Sequence, residues 1–388
     1  WLAAQGIGRG DRVVILAGND AHWCAAYLGV LRAGAVAVPF DTNYTAEQVA
    51  TLAADCGARA IFTSQEYAAV VSDAARALAA APAIVRLDDP AVLAHAPETR
   101  ECPAAGTDPA VILYTSGTTS DPKGVVLTHG NLLAERAAAF QIVSVTEHDA
   151  ILSVLPLFHA LAQMANLLLP FSAGARVVFL QTVNTTALTR ALKERGITMF
   201  VVVPQFYYLL HRKIDEELNA LPGAVRRLVR LLASLNLTLR RAAGLNLGRV
   251  LFRRVHKSIG PSLRVLVTGG ARFDPDTNRA LHALGFTIQQ AYGLTECSGA
   301  ATITRAGDLH FDTVGAPMPG LVVNVAVNVG DKVAAGAKLV QHIPNQRTDR
   351  AGHAGMKARI LAQDCRQQGG ASAWQAGNEV IFLHCCPY

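Results

Sequence analysis

Short apolar runs alternate with helical patterns along most of the chain, and this alternation constrains the fold more than any other feature. Residues 11–16 form a candidate strand, and Asn19-Asp20 then offer an N-cap for a helix that Gly34 closes. Thr45 and Gln48 have capping-box spacing and open another helix. An alanine-rich helix is predicted to reach Ala81. Further strands are predicted at residues 36–39, 60–63, 84–87, 176–180, 199–203 and 264–268. The pattern predicts an α/β fold of two successive doubly wound layers with mostly parallel sheets.

A loop rich in hydroxyl groups lies at residues 114–124. Its sequence is Tyr114-Thr115-Ser116-Gly117-Thr118-Thr119-Ser120-Asp121-Pro122-Lys123-Gly124, and apolar runs flank it on both sides. The runs predict a tight loop between two strands, with a backbone that can approach an anion closely. This chemistry suits polyphosphate. It is not a Walker motif, because Gly124 follows Lys123 where that motif needs Ser or Thr. An ordinary Ser/Thr/Gly hairpin turn is the alternative.

A second motif, Ala291-Tyr292-Gly293-Leu294-Thr295-Glu296, follows far downstream. In this order the two motifs resemble the adenylate-forming superfamily, which includes acyl-CoA synthetases, luciferases and the adenylation domains of peptide synthetases. The resemblance covers residues 1–320. It implies the large N-terminal domain of these enzymes, with stacked doubly wound sheets, helices between them and a partial β-rich subdomain. The alternative for the second motif is a strand end that caps the next helix.

The resemblance implies roles for single residues. Lys123 and the loop hydroxyls would cradle the β- and γ-phosphates of ATP, and Thr295 would contact the α-phosphate. Tyr292 would pack on adenine, and Glu296 would bind Mg²⁺, because a carboxylate beside a phosphate site needs a cation between them. The implied nucleotide-binding residues are Thr115, Ser116, Gly117, Thr118, Thr119, Lys123, Gly270, Ala271, Tyr292, Gly293 and Thr295. The implied catalytic residues are Lys123, Thr295, Glu296 and His159.

The acyl pocket is also implied by the resemblance. His159 matches an aromatic position near the acyl entrance, and Gly269 belongs to a glycine-rich segment whose backbone would line the pocket. Met164 and Phe206 are further candidates, although such apolar residues suit core packing equally well. Residues 158–171 contain no acidic side chain to pair with a substrate ammonium, so an α-amino acid substrate is disfavoured.

Charge and composition limit which partners the chain is expected to bind and where in the cell it is expected to work. The chain of 388 residues has 51% hydrophobic residues and a net charge of +6, concentrated in a basic insertion at residues 211–257. This helical segment can lie on an anionic membrane, although a solvated face is the alternative. Phe252 is the only Phe, Tyr or Trp in this segment, so it lacks the interleaved aromatic residues that stack bases, and nucleic acid is not expected. Seven cysteines without paired spacing favour a reducing cytoplasm, at most peripheral to the inner membrane face.

The sequence changes character beyond residue 320. The family would continue with an Asp that binds ribose, a hinge Arg and a small C-terminal domain with a catalytic Lys, none of which is found. Residues 316–340 instead resemble half of a biotin carrier domain, including Gly330-Asp331-Lys332-Val333, and predict a strand, a turn and a strand at 322–333. Residues 341–388 receive no fold. The chain is therefore expected to be truncated at both ends, with two joined coding sequences as the hypothesis.

Three functions remain open from the sequence. The first is a ligase that forms carbon–sulfur bonds, an AMP-forming fatty acid–CoA ligase that uses ATP, Mg²⁺ and CoA and is impaired by truncation. The second is a catalytically silent binder of nucleotide or acyl adenylate. The third is an acyl-AMP ligase that serves a carrier protein. Acyl chain length and oligomeric state are not predicted.

Overall fold

The computed structural model describes residues 1–95, 101–115, 123–180 and 182–318, together with four short strands beyond residue 321. The chain divides into two compact units. The first comprises Trp1–Arg136 and Val154–Leu168, and the second comprises Ala137–Ser153 and Leu169–Tyr388. Within the described residues, no helix is both long and apolar enough to cross a bilayer.

A six-stranded sheet organises the first unit. Its strands are β1 (Arg12–Leu16), β2 (Val36–Pro39), β3 (Ala58–Thr63), β4 (Ala83–Arg86), β5 (Pro109–Thr115) and β6 (Lys123–Thr128). They are ordered β4-β3-β1-β2-β5-β6, and only β6 runs antiparallel to its neighbour. The chain adds strands on both sides of β1, as the doubly wound prediction requires. Val14, Val38 and Ile61 pack against Val49 and Leu52 of a neighbouring helix to form the core.

The helices of the first unit follow the local signals in the sequence. They are α1 (Ala21–Arg32), α2 (Ala46–Cys56), α3 (Ala68–Arg76), α4 (Pro90–Leu93), α5 (His129–Phe140), which crosses the unit boundary, and α6 (Ala160–Gln163), with 3-10 turns at Ala3–Gln5 and Gln65–Tyr67 and a π turn at Met164–Leu168. Asp20 caps α1 through the Trp23 amide, and the Thr45 capping box is present. The helix predicted to reach Ala81 is shorter and ends at Arg76, since alanine propensity alone does not determine where a helix ends.

A seven-stranded sheet organises the second unit. Its strands are β7 (Ala150–Ser153), β8 (Arg176–Phe179), β9 (Met199–Val202), β10 (Val265–Thr268), β11 (Ile288–Tyr292), β12 (Thr302–Ile303) and β13 (Ala316–Pro317). The order is β13-β12-β11-β10-β9-β7-β8, and only β12 and β13 are antiparallel to their neighbours. The helices are α7 (Leu169–Ala173), α8 (Thr185–Glu194), α9 (Pro204–Asn219), α10 (Gly223–Ala243), α11 (Gly248–Leu251), α12 (Arg253–Ile259) and α13 (Pro275–Ala283).

The C-terminal part differs from its prediction. Strand β14 (Val322–Val325) pairs antiparallel with β15 (Val340–Ile343), so its partner comes from beyond the predicted strand at the end of 322–333. The carrier-like turn at 330–333 lies outside the described residues. The tail without a predicted fold contains β16 (Ser372–Ala376) and β17 (Glu379–Leu383), which form an antiparallel pair. Two isolated short strands carry little periodicity, which is why the sequence pattern missed them.

Candidate nucleotide and acyl site

Two antiparallel strands of the first unit, β5 and β6, flank the hydroxyl-rich loop. Thr115 ends β5 and lies opposite Lys123, which begins β6, in antiparallel register. Lys123 is exposed and Thr115 is half-buried. The predicted phosphate-binding residues Ser116, Gly117, Thr118 and Thr119 lie outside the described residues. The two flanking strands are therefore confirmed, and the phosphate contacts of the loop stay a prediction.

Tyr114 fixes the strand that leads into this loop. Its hydroxyl donates a short hydrogen bond to the Asp55 carboxylate at the end of α2, and its ring meets Phe40 edge to face at 5.9 Å. Burial, followed by the hydrogen bond to Asp55, raises the pKa of Tyr114. Gly124 faces Tyr114 across the hairpin, and a Cβ there would lie 3.4 Å from the Tyr114 ring. The tighter contact would be with the Ile112 side chain, at 3.0 Å, so the glycine after Lys123 leaves room for Ile112 more than for the ring.

Asn19 holds the segment that carries His159 in the same unit. Its side-chain amide donates to the Leu155 carbonyl oxygen at 2.7 Å and accepts from the Leu157 amide at 3.0 Å. These two bonds replace strand pairing for a stretch that has just left β7. His159 follows as the N-cap residue of α6, with an extended backbone. Asn19 therefore positions the backbone just before His159.

The imidazole of His159 lies in a partly dehydrated position. The residue is exposed by surface area, but its ring packs on Phe158 with centroids 4.4 Å apart. Desolvation lowers the pKa of His159, and the negative charge of Asp41 opposes this shift. A lowered pKa keeps the ring neutral at pH 7, so it can donate or accept a hydrogen bond without carrying charge. Met164, also predicted for the acyl pocket, is 3% exposed and begins the π turn after α6.

Two buried carboxamide side chains near His159 were not predicted from the sequence. Gln163 is buried and accepts a 3.0 Å hydrogen bond from the Tyr27 hydroxyl, and Asn166 is fully buried in the π turn. Single π turns occur frequently at functional sites. Two carboxamides within an otherwise apolar run were the available signal. The π turn itself has no local signature, because packing rather than propensity creates it.

In the second unit, three predicted pieces lie at the same edge of the sheet. Thr268 at the end of β10 is in register with Val202 of β9 and Gln290 of β11, and the three strands are parallel. Phe206 lies shortly after the carboxyl end of β9, and Gly269–Ala271 directly follow β10. Tyr292–Glu296 begin at the last residue of β11. In open α/β sheets, ligands bind outside the carboxyl ends of the strands. The sheet therefore joins motifs that are far apart in sequence.

The Tyr292–Glu296 turn is closed by the chain that returns over it. The Tyr292 carbonyl oxygen accepts from the Ala301 amide at 2.8 Å. A Cβ on Gly293 would collide with the Gly299 carbonyl oxygen, so only glycine fits there. Thr295 then opens a 3-10 turn, in which it is half-buried and Glu296 is exposed. The carboxylate of Glu296 thus projects from a turn that the backbone crossing constrains.

Two glutamines support this turn from inside the sheet. The Gln289 side chain donates to the Thr304 carbonyl oxygen at 2.7 Å, and the backbone N–H of Gln290 donates to the Thr304 hydroxyl, also at 2.7 Å. The Gln290 side chain also donates to the Thr313 carbonyl oxygen at 3.0 Å. Buried amides cost free energy unless they are hydrogen-bonded, and here every one of these bonds ties β11 to the returning chain. Sequence reasoning did not assign them a role.

The aromatic residues near β9 differ in how deeply they are buried. Phe200 and Tyr207 are fully buried, and the Tyr207 hydroxyl donates to the Val267 carbonyl oxygen at 3.3 Å. Phe206 is only half-buried and meets Phe200 edge to face at 4.8 Å. Core packing therefore accounts for Phe200 and Tyr207, whereas Phe206 keeps an accessible surface.

Most of this chain matches one known protein family. The AMP-binding enzyme family matches residues 1–338. This chain belongs to the AMP-binding family. Long-chain-fatty-acid–CoA ligase FadD15 of Mycobacterium bovis is 28% identical to this AMP-binding chain over 358 residues, which are 84% of the chain and 58% of the relative. FadD13 of Mycobacterium tuberculosis, with the same ligase name, is 29% identical over 350 residues, which are 86% of the chain and 59% of the relative.

A solved structure agrees with the fold. The inhibitor-bound N-terminal domain of FACL13 from Mycobacterium tuberculosis has a TM-score of 0.67 and 25% identity, covering 84% of this chain and 73% of that one. The predicted α/β fold of an adenylate-forming N-terminal domain is therefore confirmed. The chain spans 58% and 59% of the length of the two ligases, so the shared fold does not by itself assign their activity to this chain.

The AMP-binding chain offers one predicted magnesium ligand. Among the described residues, no group of three or more His, Cys, Asp and Glu side chains could hold a metal ion. A single exposed carboxylate such as Glu296 nevertheless suits Mg²⁺, which takes its remaining oxygen ligands from water and substrate phosphates. Lys123 belongs to the first unit and Glu296 to the second, and their use of one nucleotide stays a prediction.

Proposed function

We propose that this chain supplies the large domain of an acyl-CoA synthetase that activates a fatty acid. A carboxylate oxygen of the fatty acid attacks the α-phosphorus of ATP, and the bond to pyrophosphate breaks. The acyl adenylate then reacts with the thiol of CoA, which loses its proton as the thioester forms and AMP leaves. Both attacks depend on positioning and on shielding of phosphate charge.

The observation that carries this proposal is the arrangement at the carboxyl edge of the second sheet. The glycine-rich segment Gly269–Ala271 and the closed turn Tyr292–Glu296 follow adjacent parallel strands. Both relatives reported above are named long-chain-fatty-acid–CoA ligases. The absence of acidic residues in segment 158–171 supports a fatty acid rather than an amino acid.

Each candidate residue has a proposed part. Lys123 and the loop hydroxyls hold the β- and γ-phosphates, and Thr295 holds the α-phosphate. Mg²⁺, bound by Glu296, would shield negative charge on the phosphates. His159 and Met164 of the first unit, and Phe206 and Gly269 of the second, are each candidates for contact with the acyl chain.

The proposal also covers organisation and location. Residues 1–320 form the AMP-binding large domain, with residues 211–257 as its basic insertion and 321–340 as a carrier-like fragment. The chain works in the cytoplasm, in peripheral contact with the anionic inner face of the membrane. Support comes from the charge of the insertion, and from the fact that fatty acids partition into membranes.

Two measurements test the proposal. Pyrophosphate release is measured with fatty acid and Mg-ATP, and melting temperature is measured with ATP analogues and acyl adenylates of increasing chain length, with FadD13 as positive control. We expect the melting temperature to rise with acyl adenylates, and Glu296→Gln to reduce this rise while Glu194→Gln, on the exposed surface of α8, leaves it unchanged. No rise with any ligand would show that the site is not assembled.

The acceptor is tested separately. Incubation of the acyl adenylate with CoA or with an acyl carrier protein distinguishes a CoA ligase from an acyl-AMP ligase. Thioester formation with CoA is the expected result. Ligand-induced stabilisation without pyrophosphate release would identify a silent binder and contradict the proposed activation.

A further inference from the structure

One face of helix α10 is held firmly against the second unit. Asn236 and Arg240 are buried, and the Asn236 side chain donates to the Ala283 carbonyl oxygen at 3.0 Å. The Arg240 guanidinium donates to the carbonyl oxygens of His282 and Phe286, both at 2.8 Å. These bonds occupy the last carbonyl groups of α13 and the loop after it. The rotation of α10 about its own axis is therefore fixed.

The fixed rotation turns an apolar stripe of α10 to solvent. Val225, Leu228, Leu231 and Leu235 are 43%, 54%, 65% and 50% exposed. Their spacing of three and four residues aligns them along one side of the helix. Among the described residues, each of these four therefore keeps about half of its surface accessible to solvent. Contiguous exposed apolar residues of this kind mark an interaction surface.

A row of arginines runs beside this stripe. Arg227 and Arg230 are exposed, and at 100° per residue they lie between the buried face and the leucines, whereas Arg241 lies over the Phe311 ring at 5.8 Å. Helix α10 contains no Asp or Glu. A second copy of the chain would bring two arginine rows close together, which like-charge repulsion disfavours. The occupant that fits is apolar in its interior and anionic at its surface.

We propose that α10 lies on an anionic lipid membrane. Leu228, Leu231 and Leu235 enter the boundary between headgroups and acyl chains, while Arg227 and Arg230 contact lipid phosphates. Helices with such a division lie in the plane of the interface and bind through buried apolar area and attraction to anionic lipids. This inference specifies the surface behind the proposed membrane contact, and it does not require the chain to catalyse any reaction.

Vesicle co-sedimentation tests the arginine row. The full chain is mixed with phosphatidylglycerol-containing vesicles or with pure phosphatidylcholine vesicles, without ATP, fatty acid or CoA. We expect tight binding to the anionic vesicles only, weakened by salt. The double variant Arg227→Gln/Arg230→Gln should bind about 30-fold more weakly, since each arginine near the surface contributes about fivefold. The matched control Arg190→Gln/Lys193→Gln, on α8, should bind like the parent.

The leucine stripe needs its own variants. Leu231→Gln/Leu235→Gln should weaken binding at least about tenfold, because buried apolar side chains drive interfacial insertion. Leu133→Gln, at an exposed leucine of α5, is the matched control and should bind like the parent. Far-UV circular dichroism checks that each variant keeps its helices.

Three results would overturn the inference: equal binding to both vesicle types, parental binding by both double variants, or a dimer that the leucine variant abolishes without any vesicle binding. Failure of the ligase proposal is distinguishable, because pyrophosphate release is measured without vesicles. A chain that binds anionic vesicles but releases no pyrophosphate would support the membrane surface alone.

Discussion

Removal of the Arg264 guanidinium should destabilise the second unit through a buried carboxylate. Asp149 precedes β7 and its side chain is 3% exposed, whereas that of Arg264, before β10, is 37% exposed. The carboxylate accepts two hydrogen bonds from Arg264, one from the Thr198 hydroxyl at 2.6 Å, and two from the backbone amide and hydroxyl of Thr146. Thr198 precedes β9, so these bonds join the amino ends of three parallel strands. This edge lies opposite the candidate nucleotide site.

The expected magnitude follows from the bonds lost. Arg264→Gln removes two charge-assisted hydrogen bonds from Asp149, each of which contributes about 1.5 kcal/mol. The expected loss in unfolding free energy is therefore about 3 kcal/mol, close to the range for breaking a buried ion pair. Arg279→Gln is the control, because Arg279 and Asp276 are 53% and 86% exposed. Exposed pairs of this kind contribute about 0–1 kcal/mol.

Urea unfolding measures the difference. With a denaturant slope of about 3 kcal/mol per molar, the Arg264 variant should unfold at about 1 M less urea than the parent. The control should shift by no more than about a third of that. Equal midpoints for the two variants would refute the assignment of Asp149 as a buried, paired carboxylate.

The pH dependence gives a second check. Burial alone would raise the pKa of Asp149, but the hydrogen bonds from Arg264 and Thr198 outweigh it and lower the pKa below its ordinary value of 3.8. A lowered folded-state pKa adds stability above pH 3.8, and this stability is lost as pH falls towards the folded value. The gap between parent and variant should be constant from about pH 7 to 5 and narrow below about pH 4. A gap that widens below pH 4 would contradict this reasoning.

Three further substitutions address the candidate site. Glu296→Gln should slow pyrophosphate release about 100-fold, as for loss of a transition-state charge contact, and should leave the melting temperature without ligand unchanged. An unchanged rate would exclude Glu296 as the magnesium ligand. Gly293→Val should destabilise the fold by more than about 2 kcal/mol in urea unfolding, because its Cβ collides with the Gly299 carbonyl oxygen, and parental stability would contradict that crossing. Tyr114→Phe should cost about 1.5–3 kcal/mol in the same assay through the lost bond to Asp55, and a cost below about 0.5 kcal/mol would contradict the short hydrogen bond.

Local elements of the fold were predictable because their signals lie within a few residues. The Thr45–Gln48 capping box, the Asp20 N-cap and the strands on both sides of the hydroxyl-rich loop all appear where the sequence predicted them. The exception was the alanine-rich helix, which ends at Arg76 although the alanine run continues. Propensity favours a helix through an alanine run, but it does not determine where the helix ends.

Long-range relations were not predictable in the same way. No local pattern indicated that the Asn19 side chain would bond to the backbone of Leu155 and Leu157, because these partners lie 136 and 138 residues away along the chain. The free side of α10 is a similar case. Its leucines were visible in the sequence, but only the bonds of Asn236 and Arg240 decide which side of the helix faces solvent.

The sequence by itself determined the family, the strand and helix types, and the residues predicted to hold a nucleotide, because side-chain chemistry and periodicity can be recognised within short stretches of sequence. The tertiary structure decided the strand order of the second sheet, and hence that Gly269–Ala271 and Tyr292–Glu296 share one edge. It also decided that Asp149 would be buried against Arg264. Strand order and burial depend on the packing of the whole chain, so no short stretch of sequence contains them.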